Sequence, residues 1–232
     1  MGNWDTFIRK FQQCFIDEDR FLYLLNGLKT TLLITLFAVM LGVLLGFLVA
    51  IIRSTYDKTG KLKLLNFICN VYLTVIRGTP VMVQLLIMYY VIFATASMDK
   101  TVVAILSFGI NSGAYVAEIV RSGIMSIDQG QFEAGRSLGF SYPLTMIYIV
   151  MPQALKNILP ALANEFIVLL KETSICGYIG LMDLTRGGDI IRSVTYEAFF
   201  PLIAVALIYL CMVMILTALV KKLERRLRNS ER

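Results

Sequence analysis

The sequence predicts an all-α integral membrane protein with five transmembrane helices. Composition gives the first indication: 57% of the 232 residues are hydrophobic and 16% are charged, where soluble domains run about 45–50% apolar and about 25% charged. Two uncharged runs, residues 30–52 and 198–220, are each 23 residues long, and about 20 apolar residues suffice to cross a bilayer as a helix. Lys29 and Arg53 bound the first run, and Glu197 and Lys221 bound the second.

Residues 1–29 read as an interfacial segment. Asp5, Arg9, Lys10 and the charged run 17–20 interrupt any apolar core, so this stretch does not have the make-up of a cleaved leader. Phe7, Phe11 and Phe15 recur at i, i+4, i+8, the spacing of a short helix lying on a membrane surface. A frayed polar leader is the alternative.

Residues 64–96 form a stretch of 33 with one charge, Arg77. At about 1.5 Å per residue it is too long for one perpendicular helix across a core of about 30 Å. The break belongs at "RGTP", residues 77–80, because proline suits the first turn of a helix and disrupts its interior. That divides the stretch into an elbow helix, 62–76, and a second span, 80–96. Arg77 reads as an anchor at the inner face or as a partner of a helix end. Residues 101–125, 153–171 and 197–220 supply the third, fourth and fifth spans. Gly42 and Gly46 give the first span a small-residue face for close helix packing, within one subunit or between two.

Five spans put the termini on opposite sides, and basic residues choose between the two orientations. With the C-terminus inside, 14 Lys and Arg lie on the cytoplasmic side and seven outside, with Lys171 unassigned. Cytoplasmic loops accumulate such residues, so the N-terminus is expected outside. Six of the 14 stand in the last 12 positions, "KKLERRLRNSER", a basic tail 221–232 that fixes topology. The net charge of +6 therefore needs no nucleic acid to explain it.

The chain has no histidine, and Cys14, Cys69, Cys176 and Cys211 are scattered without close spacing. Nothing here suggests a metal cluster or a histidine-based catalytic centre. No Gly-x-x-x-x-Gly-Lys-Ser/Thr phosphate loop occurs either.

A polar insert, residues 126–152, interrupts the apolar pattern. Within "DQGQFEAGRSLG", Glu133, Ala134 and Leu138 fall on one side of a short helix that Gly139 ends, since glycine takes the left-handed conformation without steric cost. Residues 142–151 read as a second short helix, amphipathic and bounded by Pro143 and Pro152. Geometry alone leaves this insert either a docking knob for a soluble partner or an ordinary helical loop.

Polar side chains inside the spans cost on the order of 3 kcal/mol when charged, so each needs a reason. Asn111, Tyr115 and Glu118 share one face of the third span. Asn157, Asn164 and Lys171 repeat every seven residues along the fourth, with Glu165 beside them. One reading makes them a polar path for a zwitterion. The other makes them interhelical hydrogen bonds and local ion pairs, Glu118 with Arg121 and Glu165 with Lys171.

"EAGRSLG", followed by "MPQALKNILPAL", resembles the EAA loop of binding-protein-dependent ABC importer permeases. The blocks "RGTPVMVQLL", "NSGAYVAEIVRSGI", "GQFEAGRSLG" and "NEFIVLLKETSI" resemble, in order, those of polar amino-acid permeases of the histidine/glutamine type. The likeness covers roughly residues 26–226. One departure is Gly135 where the pattern has alanine, a change that weakens a helix by about 1 kcal/mol. The resemblance implies a type I ABC importer permease fold with a permease domain over residues 30–220, in a bacterial inner membrane. It implies that Glu133, Ala134, Gly135, Leu138 and Gly139 couple to an ATP-binding ABC subunit, which carries the ATP and Mg, so this chain needs no cofactor and is no enzyme. An extracytoplasmic amino-acid-binding protein and a second permease subunit, identical or similar, complete the complex. Glu165, Asn164, Asn111, Tyr115, Glu118 and Lys171 are the candidates for the substrate path. A self-sufficient channel or proton-coupled carrier is the rival reading.

Overall fold

The structure, a computed structural model, describes residues 3–229, and the described residues form helices, turns and short irregular links with no strand. Helix α1 (Asn3–Phe15) is amphipathic. Phe7 and Phe11 meet the ring of Phe200 edge-on, and Lys10 pairs with Glu197 at 2.5 Å. Cys14 is buried in a cluster with Leu24, Leu184 and Ile191. Trp4, 76% exposed, meets only the edge of the Phe7 ring among the ring contacts of the described residues. The phenylalanine spacing thus produces a surface helix clamped to the bundle.

Helix α2 (Phe21–Thr59) has 39 residues, about 58 Å at 1.5 Å per residue. It starts well before residue 30. A single charge such as Lys29 does not end a helix, because its long apolar stem lets the ammonium reach water. The helix stops at Gly60, whose φ of +64° is left-handed and whose N–H reaches Tyr56 O.

Helix α3 (Lys63–Gly78) and helix α4 (Val81–Ile87), continued by a π turn (Met88–Ile92), are bent by 110° about residues 79–80. Thr79 is extended, φ −124° and ψ 147°, as the residue before a proline prefers. The break falls where the sequence placed it, but the second span is shorter than 80–96. From Val81 to Ile92 it rises only about 18 Å, short of a core of about 30 Å. Among the described residues four helices are long and apolar enough to cross a membrane, or up to five when the bent pair is counted as one span.

Helix α5 (Lys100–Met125) is the centre of the bundle, capped by Asp99, whose carboxylate accepts Thr101 N–H at 2.7 Å. Its backbone lies close to that of α2. A Cβ on Gly46 would sit 2.5 Å from Val116 Cγ1, and one on Gly42 2.8 Å from Ser112 Cβ. Reciprocally, one on Gly109 would sit 2.6 Å from Leu41 Cδ2, and one on Gly113 3.0 Å from Leu45 Cβ. Two glycine pairs at i, i+4 interleave, so the small face of α2 serves packing within the subunit.

Helix α6 (Gln129–Ser137) precedes a turn, after which the chain does not form a separate short helix. Helix α7 (Tyr142–Thr145) passes through a π turn (Met146–Val150) straight into helix α8 (Met151–Glu172) and a 3-10 extension (Thr173–Ile179). Pro152 brings no N–H for the preceding carbonyls. The π turn just before it widens the helix, with Met151 N–H reaching back to Met146 O, so the ring is accommodated and the axis continues. The insert is therefore one short helix docked on the base of a long one.

Helix α9 (Leu184–Thr195) is capped by Asp183, which accepts from Thr185 and Arg186 N–H. It wedges between the start of α2 and helix α10 (Phe199–Asn229). Only 6% of the most apolar stretch of α10 is buried, which leaves it facing lipid or a partner. The basic tail is the helical continuation of this span as far as Asn229; Ser230, Glu231 and Arg232 lie outside the described residues.

Gly46→Val should lower the stability of the detergent-solubilised chain by about 1–3 kcal/mol, the range for overpacking a filled core. Gly78→Ala, where a Cβ meets nothing within 4 Å, should cause no loss. Thermal unfolding of both variants checks this, and equal midpoints would refute the close approach of α2 and α5.

Candidate functional site

The polar insert folds into a helix–turn–helix hairpin. Asp128 caps α6 by accepting Gly130 N–H at 2.6 Å. At its other end Gly139 takes φ +80°, with Gly139 N–H donating to Arg136 O at 2.9 Å and Phe140 N–H to Gly135 O at 3.0 Å. That reciprocal pair satisfies the last carbonyls of the helix, the arrangement a left-handed glycine makes possible. Glu133, Ala134 and Leu138 are all exposed, Leu138 at 71%. Gly135 is buried: a Cβ there would lie 2.5 Å from Thr145 Cγ2. Its effect is the reverse of the loosening expected from helix propensity. The missing Cβ lets α6 seat on α7, which holds the exposed face in a fixed attitude.

The polar residues of the spans separate into two groups. Asn111 is 2% exposed and donates from Nδ2 to Gln84 Oε1 at 2.9 Å. Gln84 Nε2 in turn lies 2.7 Å from Ile76 O, 3.0 Å from Thr79 O and 2.8 Å from Thr79 Oγ1. This one amide closes the 110° bend by covering carbonyls that Pro80 leaves without a helical donor. Glu165 is 9% exposed and accepts from Ser112 Oγ at 2.9 Å. Its hydrogen-bond partner is a hydroxyl of α5, while Lys171 is exposed.

The second group faces outward. Tyr115 is exposed and stacks beneath the Arg77 guanidinium, 5.9 Å from the ring centroid. Glu118 lies 3.5 Å from Arg77 and 3.6 Å from Arg121, so Arg77 holds the end of α3 against α5. Asn157, Asn164 and Lys171 are exposed along α8, with Asn157 donating to Ser126 Oγ at 2.8 Å. The heptad stripe is thus one face of α8, and Glu165 is turned off it toward α5. Asn111 and Glu165 are held inside, whereas Tyr115, Glu118, Asn164 and Lys171 reach the surface. Sequence reasoning missed Gln84 and Ser112 as partners. Both sit within the quoted blocks "RGTPVMVQLL" and "NSGAYVAEIVRSGI", so position was available although pairing was not. Together the two groups hold three cations, Arg77, Arg121 and Lys171, and two carboxylates, Glu118 and Glu165.

A family model described as "Binding-protein-dependent transport system inner membrane component" matches residues 42–229. The chain belongs to this family. Among relatives of the permease, a putative glutamine transport system permease protein of Rickettsia typhi is 39% identical over 210 residues, covering 90% of this chain and 94% of that protein. The arginine transport system permease protein of Bacillus subtilis is 37% identical over 211 residues, with the same coverage of 90% and 94%. A crystal structure of an amino acid ABC transporter with histidines aligns with a TM-score of 0.82 at 44% identity, over 88% of this chain and 94% of that one. The methionine ABC transporter MetNI in an inward-facing form gives 0.76 at 19% identity over 89% and 97%, a likeness of fold alone. The permease therefore has the type I ABC importer fold.

Gln84→Leu should destabilise the permease by about 1–3 kcal/mol, because it leaves the buried Asn111 amide without its acceptor. Gln84→Leu/Asn111→Leu should lose less than the two single variants summed. Thermal midpoints of the three in detergent measure this, and strict additivity would dissolve the bridge.

Proposed function

We propose that this permease subunit carries a polar amino acid inward, driven by ATP hydrolysed on a separate chain. The observation that carries the reading is the α6 hairpin, with Glu133, Ala134 and Leu138 exposed on a helix locked by Gly135 and Gly139. A rigid helix presented at one end of the bundle suits a groove on an ATP-binding ABC subunit, and the family's name supplies the binding protein as the other partner. Relatives named for glutamine and arginine support the amino-acid class.

The apolar, largely unburied α10 and the exposed polar stripe of α8 fit a dimer with a second permease, identical or similar. Between the two copies Asn164, Lys171, Tyr115 and Glu118 would line the path. Glu165 and Asn111 join it as the helices shift and release Ser112 and Gln84. The carboxylate of Glu165 suits an α-ammonium or a cationic side chain in transit, since it offsets the cost of that charge within the membrane.

Glu165→Gln keeps an acceptor for Ser112 but removes the charge. Uptake should fall roughly tenfold or more, as a hydrogen bond to a charged group contributes about 1.5–3 kcal/mol, and most for cationic amino acids. Assembly should be preserved and ATP hydrolysis should fall less. Uptake and complex yield are measured side by side in proteoliposomes; normal uptake of every substrate would exclude Glu165 from the path.

The basic asymmetry supports an N-terminus outside and a C-terminus in the cytoplasm of a bacterial inner membrane. Single cysteines replacing Ser193 and Ser137 in a cysteine-free background report it. An impermeant maleimide added to intact cells should label the first and leave the second, and the opposite pattern would invert the topology.

A further inference from the structure

A cavity of about 850 Å³ opens between the end of α2, the end of α5 and the α6–α7 hairpin. Each of three elements contributes one arginine to its lining: Arg53 from α2, Arg121 from α5 and Arg136 from α6, against the single carboxylate of Asp57. Arg121 is partly engaged by Glu118 at 3.6 Å. None of the ion pairs among the described residues uses Arg53 or Arg136. Three cations and one anion in a concave site favour an anion, and guanidinium forks match phosphate oxygens two at a time. The transport reading assigns this cavity no part.

We propose that the cavity holds the phosphodiester head group of an anionic phospholipid, bridging Arg53 to Arg136 and so tying the coupling hairpin to the first span. Two observations select a lipid over a free ion. Arg53 stands where the uncharged run 30–52 ends, the level at which head groups lie. The lining also runs on from the arginines into apolar wall, Ala50, Ala117 and Ile124, which suits glycerol and the first chain carbons and is far larger than an inorganic phosphate requires. An anionic head group is favoured over a zwitterionic one because the latter brings its own cation to a site already carrying net positive charge.

The test uses the complete importer in vesicles of phosphatidylcholine with phosphatidylglycerol as the minority lipid. Phosphatidylglycerol retained by the complex after detergent washing is counted by native mass spectrometry. The unaltered complex should retain it, and Arg53→Gln and Arg136→Gln should each weaken retention roughly fivefold, in line with one arginine removed from an anionic surface. Arg53→Lys should retain part of it, and Lys222→Gln, away from the cavity, all of it. Equal retention by the unaltered and Arg→Gln complexes would overturn the proposal. So would inorganic phosphate that binds in an Arg53-dependent manner in phosphatidylcholine alone and displaces phosphatidylglycerol, since the occupant is then a free ion. Retention is read without transport or ATP hydrolysis, so its failure and the failure of the importer reading are told apart.

Discussion

The backbone contact between α2 and α5 is the constraint on which the other elements depend. Between helices in lipid there is no hydrophobic driving force, so association rests on close packing and on hydrogen bonds. Gly42 and Gly46 on one helix and Gly109 and Gly113 on the other leave each backbone open to the facing side chains. With that pair fixed, α3 lies across it through Cys69 and Leu73 against Val49, Ala114 and Ala117. The long α8 closes on the same core through Ala154 and Ile158 against Val116 and Val120. Gly187 repeats the device at the far end, where a Cβ would sit 2.5 Å from Tyr23 O.

Three interruptions in the helices come with their own means of satisfying the backbone. At Pro80 it is the Gln84 amide, at Pro152 a π turn, at Gly139 two backbone bonds from beyond the turn. In a bilayer an unpaired carbonyl or N–H costs several kcal/mol, so irregular backbone persists only where such groups are met. These repairs are also what give the chain a bent span and a rigid hairpin, the two features by which it departs from a plain bundle. Both features come from breaking a helix while its backbone groups stay paired.

The interior polar groups follow the same logic. Glu165 with Ser112 and Asn111 with Gln84 are paired across helices within the subunit, whereas the stripe of α8 and the Arg77–Glu118–Arg121 cluster lie on its surface. Both sets tie helices of the subunit together, one from inside and the other, through Arg77 with Glu118 and Asn157 with Ser126, at its surface. The pairing of Glu165 with Ser112 also makes any movement of α5 against α8 a change in the environment of the Glu165 carboxylate.

Much of this was legible in the chain itself. Uncharged length marks the spans, because burying a charge in lipid is costly whatever the neighbours. The Pro80 break and the Gly139 turn follow from local backbone sterics, which need only the residue concerned and the one beside it. The phenylalanine repeat yields α1 because residues four apart share one face of a helix. The tertiary structure alone decided what depends on two helices at once. It shows Gly135 as a close contact with Thr145 where propensity suggested a weak point, and it joins 142–151 to α8 because a π turn absorbs Pro152. It turns Glu165 to Ser112, where the sequence offered only Lys171 on its own helix. Spacing fixes which residues share a face, but rotation of that face about the helix axis is set by packing against a partner distant in the chain, and a single sequence carries no record of that angle.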